Sequence, residues 1–183
     1  MLLRIIAFGV AAGLLVGIPL SIVVVASDEL SMTWGMVIGY LMMLVALSLI
    51  FVAIKRQRDE AGGGVIRFWP ALGMGLAISV IAGIFYVVSW ETAMAVSNLD
   101  FATTYANGII EAQRAKGASA QEIARTVAEM EAFKRQYADP LFRLPMTFTE
   151  IFPVGVLVSL ISAALLRNPR FLPARRPETL QAA

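Results

Sequence analysis

The chain contains no cysteine and no histidine. Without cysteine there is no disulfide, no thiolate metal site and no cysteine nucleophile. Without histidine the commonest general base and the commonest metal ligand are both missing, so most hydrolase and metalloenzyme mechanisms lose a central part. Charge is scarce as well: only 15% of the 183 residues are charged, while 58% are hydrophobic. A soluble domain is about half apolar and a quarter charged, so this balance belongs to a lipid environment. The net charge of +2 is small, and the basic residues form no cluster of the kind that binds nucleic acid.

What is present is a set of long uncharged runs. Residues 5–26, 32–54 and 68–90 each have the length of a membrane-crossing helix, for which roughly 20 apolar residues suffice. A fourth run, 151–166, is bounded by Glu150 and Arg167, and its 16 residues fall short of the hydrocarbon layer. Its helix must therefore begin earlier, around Thr147, or carry Glu150 into the edge of the apolar layer, and the fourth span is placed at 147–166. Val24-Val25-Ala26 also resembles a signal-peptide cleavage site, but the apolar run before it exceeds the usual signal core. Trp34, Trp69 and Trp90 fall at the predicted span ends, where indoles prefer the headgroup layer.

Orientation follows from the cations. Lys55-Arg56-Gln57-Arg58 reads as a basic turn between the second and third spans, followed by the flexible glycines Gly62, Gly63 and Gly64. Arg4, Arg67 and the tail arginines Arg167, Arg170, Arg175 and Arg176 fall on the same side when four spans alternate. Cations are retained in the cytoplasm, so the expected topology has both termini inside. Asp28 and Glu29 mark the first outer loop, and the proline-containing tail at 167–183 reads as a disordered basic inner segment.

Residues 91–146 break the pattern with interspersed charges. Phe101, Tyr105 and Ile109 share one helix face; Ile123, Val127, Met130, Phe133 and Tyr137 form a second stripe. Gly117 is a helix stop, Ser119 with Glu122 has capping-box spacing, and Asp139-Pro140 ends the second helix. The fold expected is all-α: a membrane four-helix bundle with an extracytoplasmic amphipathic hairpin between spans three and four.

Small residues recur every fourth position in the spans: Gly9, Gly13 and Gly17; Gly35 and Gly39; Ala71, Gly75, Ser79 and Gly83; Gly155, Ser159 and Ala163. Such faces let helix backbones approach within one bundle, or between two copies of a chain. Glu91 and Glu150 flank the outer ends of spans three and four, with Arg143, Thr147 and Thr149 nearby in sequence. A carboxylate at an apolar boundary is a candidate proton or cation site, whereas Thr147 with Glu150 also has capping-box spacing. Pro19 and Pro153 predict kinks. The hairpin's Glu111, Glu122, Glu129, Glu131 and Asp139 are interleaved with cations and read as a solvated face rather than a metal site. No phosphate-binding glycine loop and no nucleophile elbow occurs.

Gly39-Tyr40, the stretch from Phe51 to Asp59, Gly73 and Gly75, Trp90-Glu91, the stretch from Tyr137 to Pro140, and the stretch from Thr149 to Gly155 follow one another in a distinctive order. In these the chain resembles a bacterial family of small four-span integral membrane proteins known only as a domain of unknown function. The resemblance implies an inner-membrane location and the same layout, and it brings no catalytic residue. The expected role is a non-enzymatic interaction module without cofactor or metal, whose partners are the bilayer and a second copy or another membrane protein, and not nucleic acid. The competing expectation is a small ion- or proton-coupled transporter component, with Glu91 and Glu150 at its outer mouth.

Overall fold

The computed structural model describes residues 1–26, 32–97 and 100–174, with the side chains of 23–26 and 32–34 outside that description. Asp28, Glu29, Arg175, Arg176 and the indole of Trp34 therefore lie outside the described residues. Six helices follow in order: α1 (Leu2–Ala26), α2 (Met32–Ala61), α3 (Phe68–Ser97), α4 (Phe101–Ala115), α5 (Ala120–Tyr137) and α6 (Pro140–Leu166). There is no strand among the described residues.

Four of the helices, α1, α2, α3 and α6, are long and apolar enough to cross a membrane. Their most apolar windows are only 33% to 44% buried within the protein. Leu15, Ile18, Val45 and Val88 point outward from them. In water such exposure would be unfavourable; against lipid tails it has no penalty.

Packing follows the small residues. α1 lies on α3, α3 on α6, α6 on α2 and α2 on α1, with α2 and α3 touching across the short diagonal. Gly9 meets Ile81, Gly13 meets Ala82 and Phe85, and Gly17 meets Ser89, so α1 and α3 run parallel with their backbones close together. The glycine face of α1 is thereby used inside the chain. Between α3 and α6 the register is antiparallel: Gly75 faces Ser159 and Ser79 faces Gly155, position numbers adding to 234 in both cases. The Ser79 and Ser159 hydroxyls lie 3.3 Å apart and each also donates to the carbonyl four residues back, so no polar group is stranded in this seam. Gly83 makes room for the Phe148 ring. Gly39 faces Leu20 across ordinary contact distance, so no comparably close seam forms there, and Gly35 is half-buried.

Several sequence boundaries are corrected. Lys55-Arg56-Gln57-Arg58 is not a turn but the last turns of α2, which continues to Ala61. Charge ends the contact with lipid, but a helix can continue in water because its hydrogen bonds are internal. α3 likewise runs past Trp90 to Ser97. α6 begins at Pro140, capped by Asp139, whose carboxylate accepts from the Leu141 amide at 2.9 Å. Thr147 and Glu150 thus lie well inside a helix and form no capping box; the Thr147 hydroxyl donates to the Arg143 carbonyl. Pro19 and Pro153, and also Pro145, sit inside unbroken helices.

The first part of the tail is folded, not disordered. Residues 167–174 turn back over the end of α2, where the fully buried Arg58 donates to the carbonyls of Phe171 (2.8 Å) and Leu172 (2.5 Å). Phe171 packs edge-on against Phe51, and Ala174 lies beside Gly64. At the same basic end Arg4 bridges to Glu60, Lys55 and Arg58 share Asp59, and Arg56 stacks over Phe8.

At the opposite end, α4 and α5 form the hairpin. Asp100 caps α4, Gly117 turns the chain with φ of +75°, and Ser119 with Glu122 makes a complete capping box at α5. The two stripes cover each other, with Tyr105 against Phe133 at 5.3 Å and Phe101 against Tyr137 at 5.6 Å.

Candidate functional site

The sequence places its candidate polar groups where the hairpin meets α3 and α6, and the structure divides them between two separate arrangements. The first is a knot at the hairpin base. Arg143 holds Glu91 with two parallel bonds, Nε to Oε1 at 2.7 Å and Nη2 to Oε2 at 2.6 Å, and its third nitrogen donates to the Tyr137 carbonyl at 3.1 Å. Two-pronged arginine–carboxylate pairing fixes orientation as well as charge. Glu91 and Arg143 also add to 234, the same antiparallel offset as the serine–glycine seam. The pair is mostly sheltered, with side-chain exposures of 28% and 16%.

Above this pair, the Trp90 indole donates to the Tyr137 hydroxyl at 3.0 Å, the Arg143 guanidinium lies over the Tyr137 ring, and Phe101 stands edge-on to Trp90. Burial pushes the Tyr137 phenol above its ordinary range, while the indole bond pulls it the other way. Trp90 is 8% exposed, so it is not a free headgroup anchor but a core residue under the hairpin. Its indole N–H is satisfied by Tyr137 rather than by water or lipid.

The second arrangement is a single contact. Tyr86, 2% exposed, donates to Glu150 Oε2 at 3.0 Å, while the Glu150 residue is exposed at the protein surface. Glu150 is two helical turns beyond Arg143 on α6, about 10 Å of rise. Glu91 and Glu150 therefore take different partners, Arg143 for the one and the Tyr86 phenol for the other, while Tyr137 feels both charges. Thr147 is buried and Thr149 exposed, and each hydroxyl is occupied by a carbonyl of its own helix.

Sequence reasoning missed Tyr86 and the Trp90–Tyr137 pair as polar partners. Trp90 and Tyr137 were visible only as a span end and a stripe member, and their meeting depends on how the hairpin folds back. Tyr86 has no sequence signal beyond its place in an apolar run. Arg58 read as one inner cation among several.

Within the knot these bonds hold and orient their groups. Its carboxylate–guanidinium pair is neutralised and its hydroxyls are bonded. Among the described residues no three Asp or Glu side chains come together as a metal site. A shallow depression of about 510 Å³ lies on the outside of the hairpin base, lined by Ala132, Arg135, Gln136, Asp139 and Phe142.

No curated protein and no solved structure matches the chain. Residues 7–168 match the family model described as "Protein of unknown function (DUF4199)", a match that runs from early in α1 to just past the end of α6. The glycine seams, the knot at the hairpin base and the hairpin itself all fall within that stretch, and the chain belongs to the DUF4199 family.

Proposed function

We propose that the chain is a multi-pass protein of the bacterial cytoplasmic (inner) membrane, with both termini inside, that serves as a non-enzymatic module holding the α4–α5 hairpin out on the extracytoplasmic side. The orientation rests on charge: Arg4, Lys55, Arg56, Arg58, Arg67, Arg167 and Arg170 lie at one end, joined in sequence by Arg175 and Arg176. The hairpin has five cations of its own, but the charge rule weakens in long loops. A reporter fused at Gly63 is expected to be inaccessible from outside the cell, and one at Gly117 accessible.

The observation that carries the module reading is the knot. The Trp90–Tyr137 indole–phenol bond, the Arg143 bond to the Tyr137 carbonyl and the edge contact of Phe101 with Trp90 tie the hairpin to α3 and α6, whose ends the Glu91–Arg143 pair clamps together. Preorganisation of this kind favours recognition, because the ordering entropy is already spent. The partner would be another membrane protein or a second copy. Replacing residues 98–139 with a short glycine–serine linker should abolish partner recovery after crosslinking in membranes, leaving the four spans inserted. Full recovery of the same partners by the deleted form excludes the hairpin as the docking element.

One observation favours a second reading. Glu150 sits on a candidate span, exposed and bonded among the described residues to the Tyr86 phenol, and an ion- or proton-coupled component needs such a group. Against it, the buried polar residues of the spans are few: Ser79, Ser159, Ser162, Thr147 and Arg58. Ser48 is exposed and bonded to its own helix. In proteoliposomes carrying a pH gradient, the transport reading expects proton flux that Glu150→Gln removes; flux equal to protein-free vesicles ends that reading.

A further inference from the structure

The α3/α6 register has a second consequence at the basic end. Counting back from Gly75 opposite Ser159, the next step sets Ala71 opposite Ala163, both fully buried, and the one after sets Arg67 opposite Arg167. Both arginines flank their helices: the Ala71 amide bonds to the Arg67 carbonyl at 3.1 Å just before α3, and Arg167 is the C-cap of α6. At the hairpin end a cation meets a carboxylate; at this end the same offset matches a cation with a cation.

A third arginine joins them. Arg170 follows within the turn closed by Asn168, whose side chain accepts from the Arg170 amide at 3.0 Å. That turn is held by Arg58 through the carbonyls of Phe171 and Leu172, and Ala174 rests beside Gly64, three residues before Arg67. The strap therefore brings Arg167 and Arg170 to the Arg67 loop and keeps them there. All three residues are exposed, and none has an ion-pair partner among the described residues. Every other described cation at this end is engaged: Arg4 with Glu60, Lys55 and Arg58 with Asp59, and Arg56 with the Phe8 ring. Trp69, 76% exposed and two residues from Arg67, marks the same level with an interfacial indole.

Three guanidinium groups gathered at one end of the bundle, without an ion pair among the described residues, repel one another, and an anion with several oxygens relieves that repulsion through charge-assisted bonds. At the end of an apolar helix bundle, beside an exposed tryptophan, the anion of matching depth is a phospholipid phosphate. We infer that Arg67, Arg167 and Arg170 form a headgroup site for an anionic phospholipid. The inference does not depend on the proposed orientation, because either leaflet supplies such lipids, and it does not involve the hairpin.

The test is native mass spectrometry of the full-length protein released from nanodiscs of equal parts phosphatidylglycerol and phosphatidylcholine. Wild-type protein is expected to retain phosphatidylglycerol in preference to phosphatidylcholine. Each arginine removed should lower that preference by roughly fivefold at most, since a basic side chain near an anionic surface contributes on that scale. Arg67→Ala/Arg167→Ala/Arg170→Ala should therefore retain the two lipids almost equally, while Arg114→Ala/Arg125→Ala/Arg135→Ala, the same charge change on the hairpin, keeps the wild-type preference. Should the triple variant melt lower than wild type, the single substitutions at these exposed positions read the same selectivity. Equal retention of both lipids by wild type, or an unaltered preference in the strap variants, overturns the site. Displacement of phosphatidylglycerol by millimolar inorganic phosphate would instead assign these arginines to a soluble anion and overturn the lipid assignment.

Discussion

Gly13→Leu is expected to force α1 away from α3 and to destabilise the bundle by about 3 kcal/mol or more, at the upper end of what overpacking does. A Cβ at Gly13 would lie 2.6 Å from the Ala82 carbonyl oxygen, 2.6 Å from Phe85 Cβ and 3.1 Å from Ala82 Cα. None of these atoms can swing aside by a rotamer change, because two are backbone and the third is the root of its side chain. The helices must separate, and Gly9 and Gly17 then lose their contacts with Ile81 and Ser89 as well. Without a hydrophobic drive between helices in lipid, close contact of this kind is the main attraction holding the seam. Gly73→Ala is the matched control, since nothing lies within 4 Å of a Cβ there. It should leave stability unchanged or raise it slightly, because alanine is the better helix former. Sodium dodecyl sulfate titration of the purified protein, followed by tryptophan fluorescence, compares the two. A Gly13→Leu midpoint equal to wild type would refute the seam.

Arg58→Ala is the second large effect, about 3 kcal/mol by comparison with other broken buried charge networks. Arg58 is 0% exposed and makes three kinds of bond: to the Phe171 carbonyl, to the Leu172 carbonyl and to Asp59 at 2.7 Å. Its removal leaves two carbonyls without the donor that ties them to α2, so the strap is expected to open toward water and Phe171 to leave Phe51. Asp59 keeps Lys55 at 2.5 Å, which limits the loss. Amide hydrogen exchange should therefore rise sharply at 168–174 and little along α3. Arg58→Lys is expected to rescue only in part, because a single ammonium lacks the planar fork that serves two carbonyls and a carboxylate together. The phosphatidylglycerol preference should fall in Arg58→Ala even though Arg67, Arg167 and Arg170 are intact, since the strap no longer gathers them. Unchanged exchange at 168–174 would show that Arg58 does not hold the strap.

Both predictions depend on contacts between segments distant in the chain, whereas local features were readable in advance. The helix stop at Gly117, the Ser119–Glu122 box and the alternation of apolar stripes in α4 and α5 involve neighbours within a few residues, where spacing and backbone preference suffice. The four apolar runs were equally plain. Their ends were misjudged because hydropathy records where lipid stops, while a helix stops where its backbone bonds are capped. Hence α2 reaches Ala61 through a basic segment, and α6 starts at Asp139–Pro140 although Arg143 interrupts the apolar run.

The small-residue spacing in α1, α3 and α6 marked faces suited to close approach but not their partners. Nothing local distinguishes a glycine stripe that meets a helix of its own chain from one that meets another copy. Glu91, Glu150 and Arg143 were flagged together, yet the antiparallel register gives Arg143 to Glu91 and leaves Glu150 to Tyr86.

What the sequence determined by itself is the number of apolar rods, the charge difference between their two ends, and the presence of an amphipathic helical pair before the last rod, because each is a property of composition and period along the chain. Tertiary structure alone decided which rods touch, which carboxylate receives the arginine, and that the tail folds back onto Arg58. Those outcomes depend on the offset at which two helices lock, and that offset is set by where backbones can approach most closely across the bundle.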